Sequence, residues 1–189
     1  VFLSVLGVGT GNLKDSTMEQ LADRGNGNYS YLDSLHEARR VLVAEAGSTL
    51  MTVAKDVKIQ VEFNPARVGA YRLIGYENRV LAARDFNDDR KDAGEMGAGH
   101  TVTALYEIVP PGESIDAPGV DPLKYQTAPR IAPRTGADEL LTLKVRYKAP
   151  EGGVSQVMST PVMDRAGVPS SNLGFASAVV QFGMLLRGS

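Results

Sequence analysis

From Val1 to Leu6 the chain is apolar except at Ser4, and the run stops at Gly7-Val8-Gly9-Thr10-Gly11-Asn12. That is how a strand buried on both faces of a parallel sheet reads, with a tight turn after it. Met18, Leu21 and Ala22 then recur at helical spacing. They predict a helix opened by the capping box Ser16-Thr17-Met18-Glu19 and stopped by Gly25 in a left-handed conformation. Tyr29 to Leu32 predicts a short second strand beyond the Gly25-Asn26-Gly27-Asn28 turn. A second capping box, Ser34-Leu35-His36-Glu37, opens another helix carrying Leu35, Ala38, Val41 and Leu42 before Gly47. Strand, helix, strand, helix specifies a parallel sheet with helices packed on it. Two strands in the first 48 residues cannot cover both faces of a sheet, so residues 1–48 read as the last two βα units of a doubly wound α/β domain.

Beyond Gly47 the period changes to two. Val57, Ile59, Val61 and Phe63 alternate with Lys58, Gln60 and Glu62 up to Asn64-Pro65, which predicts a strand with one buried and one wet face. Tyr71 to Ile74 and Arg79 to Ala82 read as strands around Gly75-Tyr76-Glu77-Asn78. Thr101 to Val109 alternates again, with Val102, Ala104, Tyr106 and Ile108 on one side. Residues 49–189 therefore read as a second, β-rich domain of antiparallel, sandwich-like type, giving an α+β chain overall.

Six of the ten prolines fall between Pro110 and Pro133, so residues 110–138 read as one long loop. Leu141, Leu143, Val145 and Tyr147 alternate with Thr142, Lys144, Arg146 and Lys148, and a final strand follows around Gln156 to Val162. Asn172 is placed to cap a closing helix over 172–187, apolar nearly all round. Such a helix demands burial on more than one side. It packs within the protein, docks a partner or lies on a membrane surface, the last disfavoured by its lack of a basic face.

Charge and composition narrow the functional classes. With 20 Lys+Arg against 22 Asp+Glu the chain lacks the basic excess of an electrostatic nucleic-acid binder. No Cys is present and only two His, which excludes disulfides, thiolate zinc sites and Cys nucleophiles. No run approaches the ~20 apolar residues needed to span a bilayer. The opening Val1-Phe2-Leu3 has neither an initiator Met nor the charged start of a signal peptide, which predicts a piece of a longer protein.

Three stretches invite chemistry. The glycine-rich turn at Gly7 to Asn12 stands where a phosphate-binding loop would. It departs from the dinucleotide fingerprint at Asn12, and no Lys-Ser or Lys-Thr follows. The acidic stretch from Asp85 to Glu95 offers Asp85, Asn87, Asp88, Asp89, Asp92 and Glu95 as oxygen ligands for Ca²⁺. Arg90 stands where a calcium loop needs glycine and Met96 where it needs a bidentate Glu, so an EF-hand is excluded and two readings stay open, a looser calcium site or a charged connection. His100 follows Gly97-Ala98-Gly99 and has a hydrogen-bonding role as its expectation. No nucleophile, base and orienter set is recognisable around Ser4, Ser30 or either His, so no catalytic residue is assigned.

Gly7-Val8-Gly9, Met18 to Leu21 and Gly25-Asn26-Gly27-Asn28-Tyr29 together resemble the last βαβα part of a von Willebrand factor type A domain. Asp56 to Pro65, Tyr71 to Arg79 and Ala104 to Glu107 resemble the C-terminal region of bacterial proteins that carry such a domain. The resemblance implies a non-enzymatic adhesion or scaffold protein of the cell envelope, periplasm or surface, with unidentified protein partners. It also implies Mg²⁺ or Ca²⁺ at an Asp-x-Ser-x-Ser site in the longer protein. No such motif occurs in this chain, so no cofactor and no metal ligand is carried over. The alternatives are a nucleotide-binding or hydrolytic enzyme fragment and a calcium-stabilised structural domain. An incomplete α/β sheet further predicts self-association through its exposed edge.

Overall fold

A computed structural model describes residues 3–25, 27–47, 51–76, 80–113 and 138–188. The chain is a mixed α and β protein. Strand β1 (Val5–Val8) pairs in parallel with β2 (Tyr29–Leu32), Val5 facing Tyr29 and Val8 facing Leu32. Parallel neighbours need a crossover, and helix α1 (Asp15–Arg24) supplies it. Helix α2 (Leu35–Arg39) follows β2, so the predicted order holds through the first 39 residues.

The helix ends differ from the expectation in two places. Helix α1 starts at Asp15, with Lys14 at the N-cap and no side-chain cap, so Ser16 lies inside the helix. Asp15 in that first turn accepts a hydrogen bond from the Tyr29 hydroxyl, which ties α1 to β2 and occupies the carboxylate locally. Gly25 closes α1 at φ −93°, outside the left-handed region. Close approach explains this glycine: a Cβ there would fall 2.5 Å from Leu3 Cβ, and the Leu3 amide donates to the Gly25 carbonyl at 2.9 Å. Half of the second capping box forms, the Glu37 amide donating to Ser34 Oγ at 3.2 Å, while the Glu37 carboxylate takes Arg40. After Arg39 the helix widens into a π-helical turn, Arg40–Ala44, closed by the Glu45 amide on the Arg40 carbonyl at 2.9 Å. Arg40 reaches both Glu37 and Glu45 across that turn.

The remaining strands form two further sheets. One has the order β5 (Gly94–Gly97), β3 (Thr52–Phe63), β7 (Glu139–Lys148), β8 (Gln156–Met163). The other pairs β4 (Ala70–Ile74) with β6 (Leu105–Val109) in antiparallel register, Ala70 facing Val109 and Ile74 facing Leu105. Strand β8 is an edge strand and every one of its residues is exposed, and an edge strand is where a sheet accommodates a proline such as Pro161. By compactness the chain divides into one unit of residues 1–61, 81–103 and 143–160 and another of 62–80, 104–142 and 161–189.

In the first unit, β3 carries two extra residues opposite β5. Thr52 faces Gly97, Ala54 faces Met96 and Val57 faces Gly94, with a register shift in each interval. Asp56 lies in the second interval at φ +51°, a left-handed conformation that Asp reaches more readily than most residues. One extra residue inverts which side chains face inward and the second restores it. What is corrected is the face that the protein covers: Lys58 is 3% exposed and Ile59 46% exposed. The expected strand from Arg79 to Ala82 does not form in its described part, residues 80–82, which lead into a 3₁₀ turn, Ala83–Asn87, that buries Phe86.

In the second unit, Phe63, Tyr71 and Tyr106 make an aromatic cluster. The ring of Phe63 lies 4.5 Å from Tyr71 and 5.4 Å from Tyr106, the latter edge-on. Arg72 and Glu107 face each other across the β4–β6 pair, Arg72 Nε lying 3.0 Å from Glu107 Oε2. Residues 101–104, expected to continue β6, are not paired. Helix α3 (Ser171–Arg187) is capped by Ser170, whose hydroxyl accepts from the Leu173 amide at 3.2 Å, so Asn172 sits inside the helix. Gly188 ends it in the left-handed conformation. The helix buries none of its residues, contrary to the expectation of burial on several sides. The long loop expected over 110–138 lies outside the described residues from 114 to 137.

Candidate functional site

Polar side chains converge in the first unit, on the bulged part of β3, the turn that precedes β5 and the end of β7. The inward phase of Lys58 is what organises the turn. Its ammonium donates to the Asp88 carbonyl at 2.5 Å and the Asp85 carbonyl at 3.3 Å. A buried ammonium requires such acceptors, and the backbone of residues 85–88 provides them.

The six acidic-stretch candidates separate once this turn is folded. Asp85 has its carboxylate 3.7 Å from Arg84 and 3.9 Å from Lys91. Asn87 closes the 3₁₀ turn. Asp88 takes Arg90 on both of its oxygens at 3.0 Å, and that hydrogen bonding holds its pKa at about 2. Asp89 turns toward β7, where its Oδ1 accepts from Ser155 Oγ at 2.6 Å and from Arg146 Nη2 at 2.8 Å and Nε at 3.0 Å. Those bonds, Ser155 first, lower its pKa.

Asp92 and Glu95 join Asp56 instead, with ligand oxygens from all three within 4.8 Å of one another. Lys148 on β7 stands over this trio, its Nζ 2.6 Å from Asp56 Oδ2 and 2.9 Å from the Asp89 carbonyl. Burial works against the Asp56 charge, yet the Lys148 hydrogen bond leads the effects that bring its pKa down. The same bond raises the pKa of Lys148. Glu95 behaves oppositely. One of its oxygens, Oε2, is buried with no hydrogen-bond partner, and desolvation followed by the Asp56 charge pushes its pKa up.

Asp56, Asp92 and Glu95 are thus the described residues that could hold a cation. Three carboxylate oxygens fall short of the six to eight that Ca²⁺ takes, and the Lys148 ammonium already supplies positive charge at Asp56. His100 lies in the turn after β5, its amide donating to the Gly97 carbonyl at 3.0 Å. The glycine turn after β1 has Gly9 and Gly11 at φ +93° and +123°, and the Tyr31 hydroxyl donates to the Gly9 carbonyl at 2.9 Å. The adjoining start of α1 already carries the Asp15 carboxylate, which opposes an anion there.

Residues 48–189 match the family described as "Uncharacterized protein YfbK, C-terminal". The chain belongs to this family. It is similar to "Uncharacterized protein YfbK" of Escherichia coli (strain K12), 45% identical over 189 residues, which is all of this chain and 32% of that protein. The chain therefore spans about a third of the length of the curated relative it matches. No solved structure matches. The region matched to the YfbK C-terminal family contains the whole Lys58 and Lys148 network, whereas β1, α1, β2 and α2 precede it.

Sequence reasoning put the candidate ligands on the acidic stretch alone and missed Asp56, Lys58, Arg146, Lys148 and Ser155. Only Asp56 left a signal. It stands one residue before the clean alternation starts, the place where a bulge resets the phase.

Proposed function

We propose that the protein is an interaction and scaffold protein in which this chain ends a von Willebrand factor type A-like α/β domain and adds a β-rich accessory domain to it. In this reading the partner binds at a metal-dependent adhesion site in the part of the protein that precedes Val1. The parallel β1–β2 pair with its crossover helix carries the reading. A two-stranded parallel sheet leaves apolar side chains uncovered, as Leu6 at 38%, Val8 at 69%, Leu35 at 88% and Val43 at 70% exposure illustrate. Parallel sheets are stable when both faces are covered, so further strands and helices of the same domain complete this one.

The pairing of Asp85, Asp88, Asp89 and Asp56 with neighbouring cations supports a structural role for the acidic turn rather than a reacting one. The test is a structure of the full-length protein together with titration of Mg²⁺. The free edge of β1 should pair with a further parallel strand, and an Asp-x-Ser-x-Ser loop upstream should bind the ion. A sheet that ends at β1, or an upstream region without that loop, would overturn the reading.

A further inference from the structure

Helix α3 presents a stripe that fits another helix. Phe175, Val179, Phe182 and Leu186 are separated by four, three and four residues, the spacing of a seam between two packed helices. They are 73%, 54%, 63% and 74% exposed, and Leu185 beside them is 79% exposed. Ala176, Ser177, Val180, Gly183 and Met184 are the half-buried positions of the helix, and Arg72 reaches the Met184 sulfur at 3.6 Å. The stripe is thus a second face, turned away from the side that the described residues cover.

We propose that this face binds a second copy of the same chain, as an antiparallel pair of α3 helices about a two-fold axis. The four-three-four spacing reads the same in both directions. An antiparallel register therefore sets Phe175 opposite Leu186 of the second copy and Val179 opposite Phe182. Every contact joins an aromatic to an aliphatic side chain, and each occurs twice, as an isologous interface requires. Charge does not oppose the pairing, because Arg187 in the last turn is the only charged residue of α3. Antiparallel helix dipoles add to it. At about 100 Å² of exposed apolar surface per side chain, the faces of two copies supply ~1,000 Å², the threshold for a specific interface. A membrane surface fits less well, since the helix has no basic polar face. This inference is independent of the type A reading, which concerns the other end of the chain.

The experiment compares the full-length protein with its Phe175→Glu/Phe182→Glu variant by sedimentation at micromolar to 100 micromolar concentration. The parent should be dimeric and the variant monomeric, with an unchanged circular dichroism spectrum because both positions are exposed. Register is read by disulfide trapping; this chain contains no Cys, and any Cys elsewhere in the full-length protein is first replaced by Ser. A mixture of Val179→Cys and Phe182→Cys chains should give the mixed disulfide in preference to either self-linked product. A parent that stays monomeric, a variant that stays dimeric, or self-linked products in excess would each overturn the proposal. So would a monomer that floats with phosphatidylcholine vesicles through the two phenylalanines.

Discussion

Lys148 Nζ stands 2.6 Å from Asp56 Oδ2, joining the end of β7 to a residue that the bulge in β3 holds in a left-handed conformation. Both side chains are largely shielded, at 17% and 16% exposure. The ammonium is therefore the hydrogen-bonded counter-charge of Asp56, and Asp89 and Asp92 also act on it, whereas the cation that acts on Glu95 is Lys55.

Replacing Lys148→Met keeps the aliphatic stem and removes that charge. The three carboxylates then repel one another in a partly desolvated place, and the melting temperature should fall by roughly 5 °C at neutral pH. The deficit should narrow as pH falls and the carboxylates take up protons. Thermal melts of both proteins across that range decide it; equal melting temperatures at neutral pH would show that solvent and Lys55 neutralise the trio without Lys148.

Glu95 gives a pH dependence of definite sign. Desolvation and the Asp56 charge raise its pKa in the folded protein above the ordinary 4.5. A raised acid contributes fully below its unfolded pKa and loses that contribution as pH rises through its folded value. Glu95→Gln removes the loss, so the variant should be more stable than the parent at neutral pH, the two converging below pH 4.5. Asp88 and Asp89, with lowered pKa values, act in the opposite sense. Their contribution is present above the ordinary 3.8 and fades as pH falls through their lower folded values, in parent and variant alike. Denaturant midpoints measured at acid and neutral pH would test this, and a constant difference between the two proteins would rule it out.

The order of elements was legible in the sequence wherever a local signal was strong. Ser34 capped α2 through the Glu37 amide, and the β1–α1–β2 alternation gave a parallel pair. Failures came where tertiary geometry reset a local rule. Lys58 reads as a wet-face residue, because alternation ranks the two faces by polarity, and the acceptors that allow its ammonium to be buried come from the distant backbone of Asp85 and Asp88. Gly25 reads as a left-handed helix stop, yet the demand on it is the approach of Leu3. In the acidic stretch the residue types were visible but their destinations were not. Whether Asp89 meets Arg146 or Asp92 meets Asp56 depends on a turn fixed by Lys58, some thirty positions earlier.

Gly27 carries a sharper version of the Leu3 constraint. A Cβ on it would lie 2.1 Å from the Leu3 carbonyl oxygen and 2.7 Å from the Ser4 nitrogen, both backbone atoms that cannot rotate away. Gly27→Ala should therefore push the chain before β1 off β2 and expose the amides of Val5 to Val8 to exchange. Hydrogen exchange should show lost protection in β1 and β2 and little change in β7. Retained protection in β1 would mean that the turn shifts to accept the methyl group.

Lys58→Met isolates the role of the buried ammonium. The substitution keeps most of the side-chain volume in a site only 3% exposed, so cavity effects stay small. What it removes is the donor to the Asp85 and Asp88 carbonyls. Each carbonyl keeps a backbone donor, the Asp88 amide on Asp85 at 3.2 Å and the Lys91 amide on Asp88 at 3.1 Å, so what is lost is the charge-assisted bonding, about 2 kcal/mol in total, offset in part by the lower desolvation of methionine. The turn from Ala83 to Asp92 should loosen with it, which brings Asp89 away from Arg146 and Ser155. Two readings separate these effects: urea midpoints report the stability, and proteolysis reports cleavage at Arg84, Arg90 or Lys91. Faster cleavage with lower stability is the expected pair. A loss of stability without faster cleavage would mean that Phe86, buried at 7% exposure, holds the turn without the lysine.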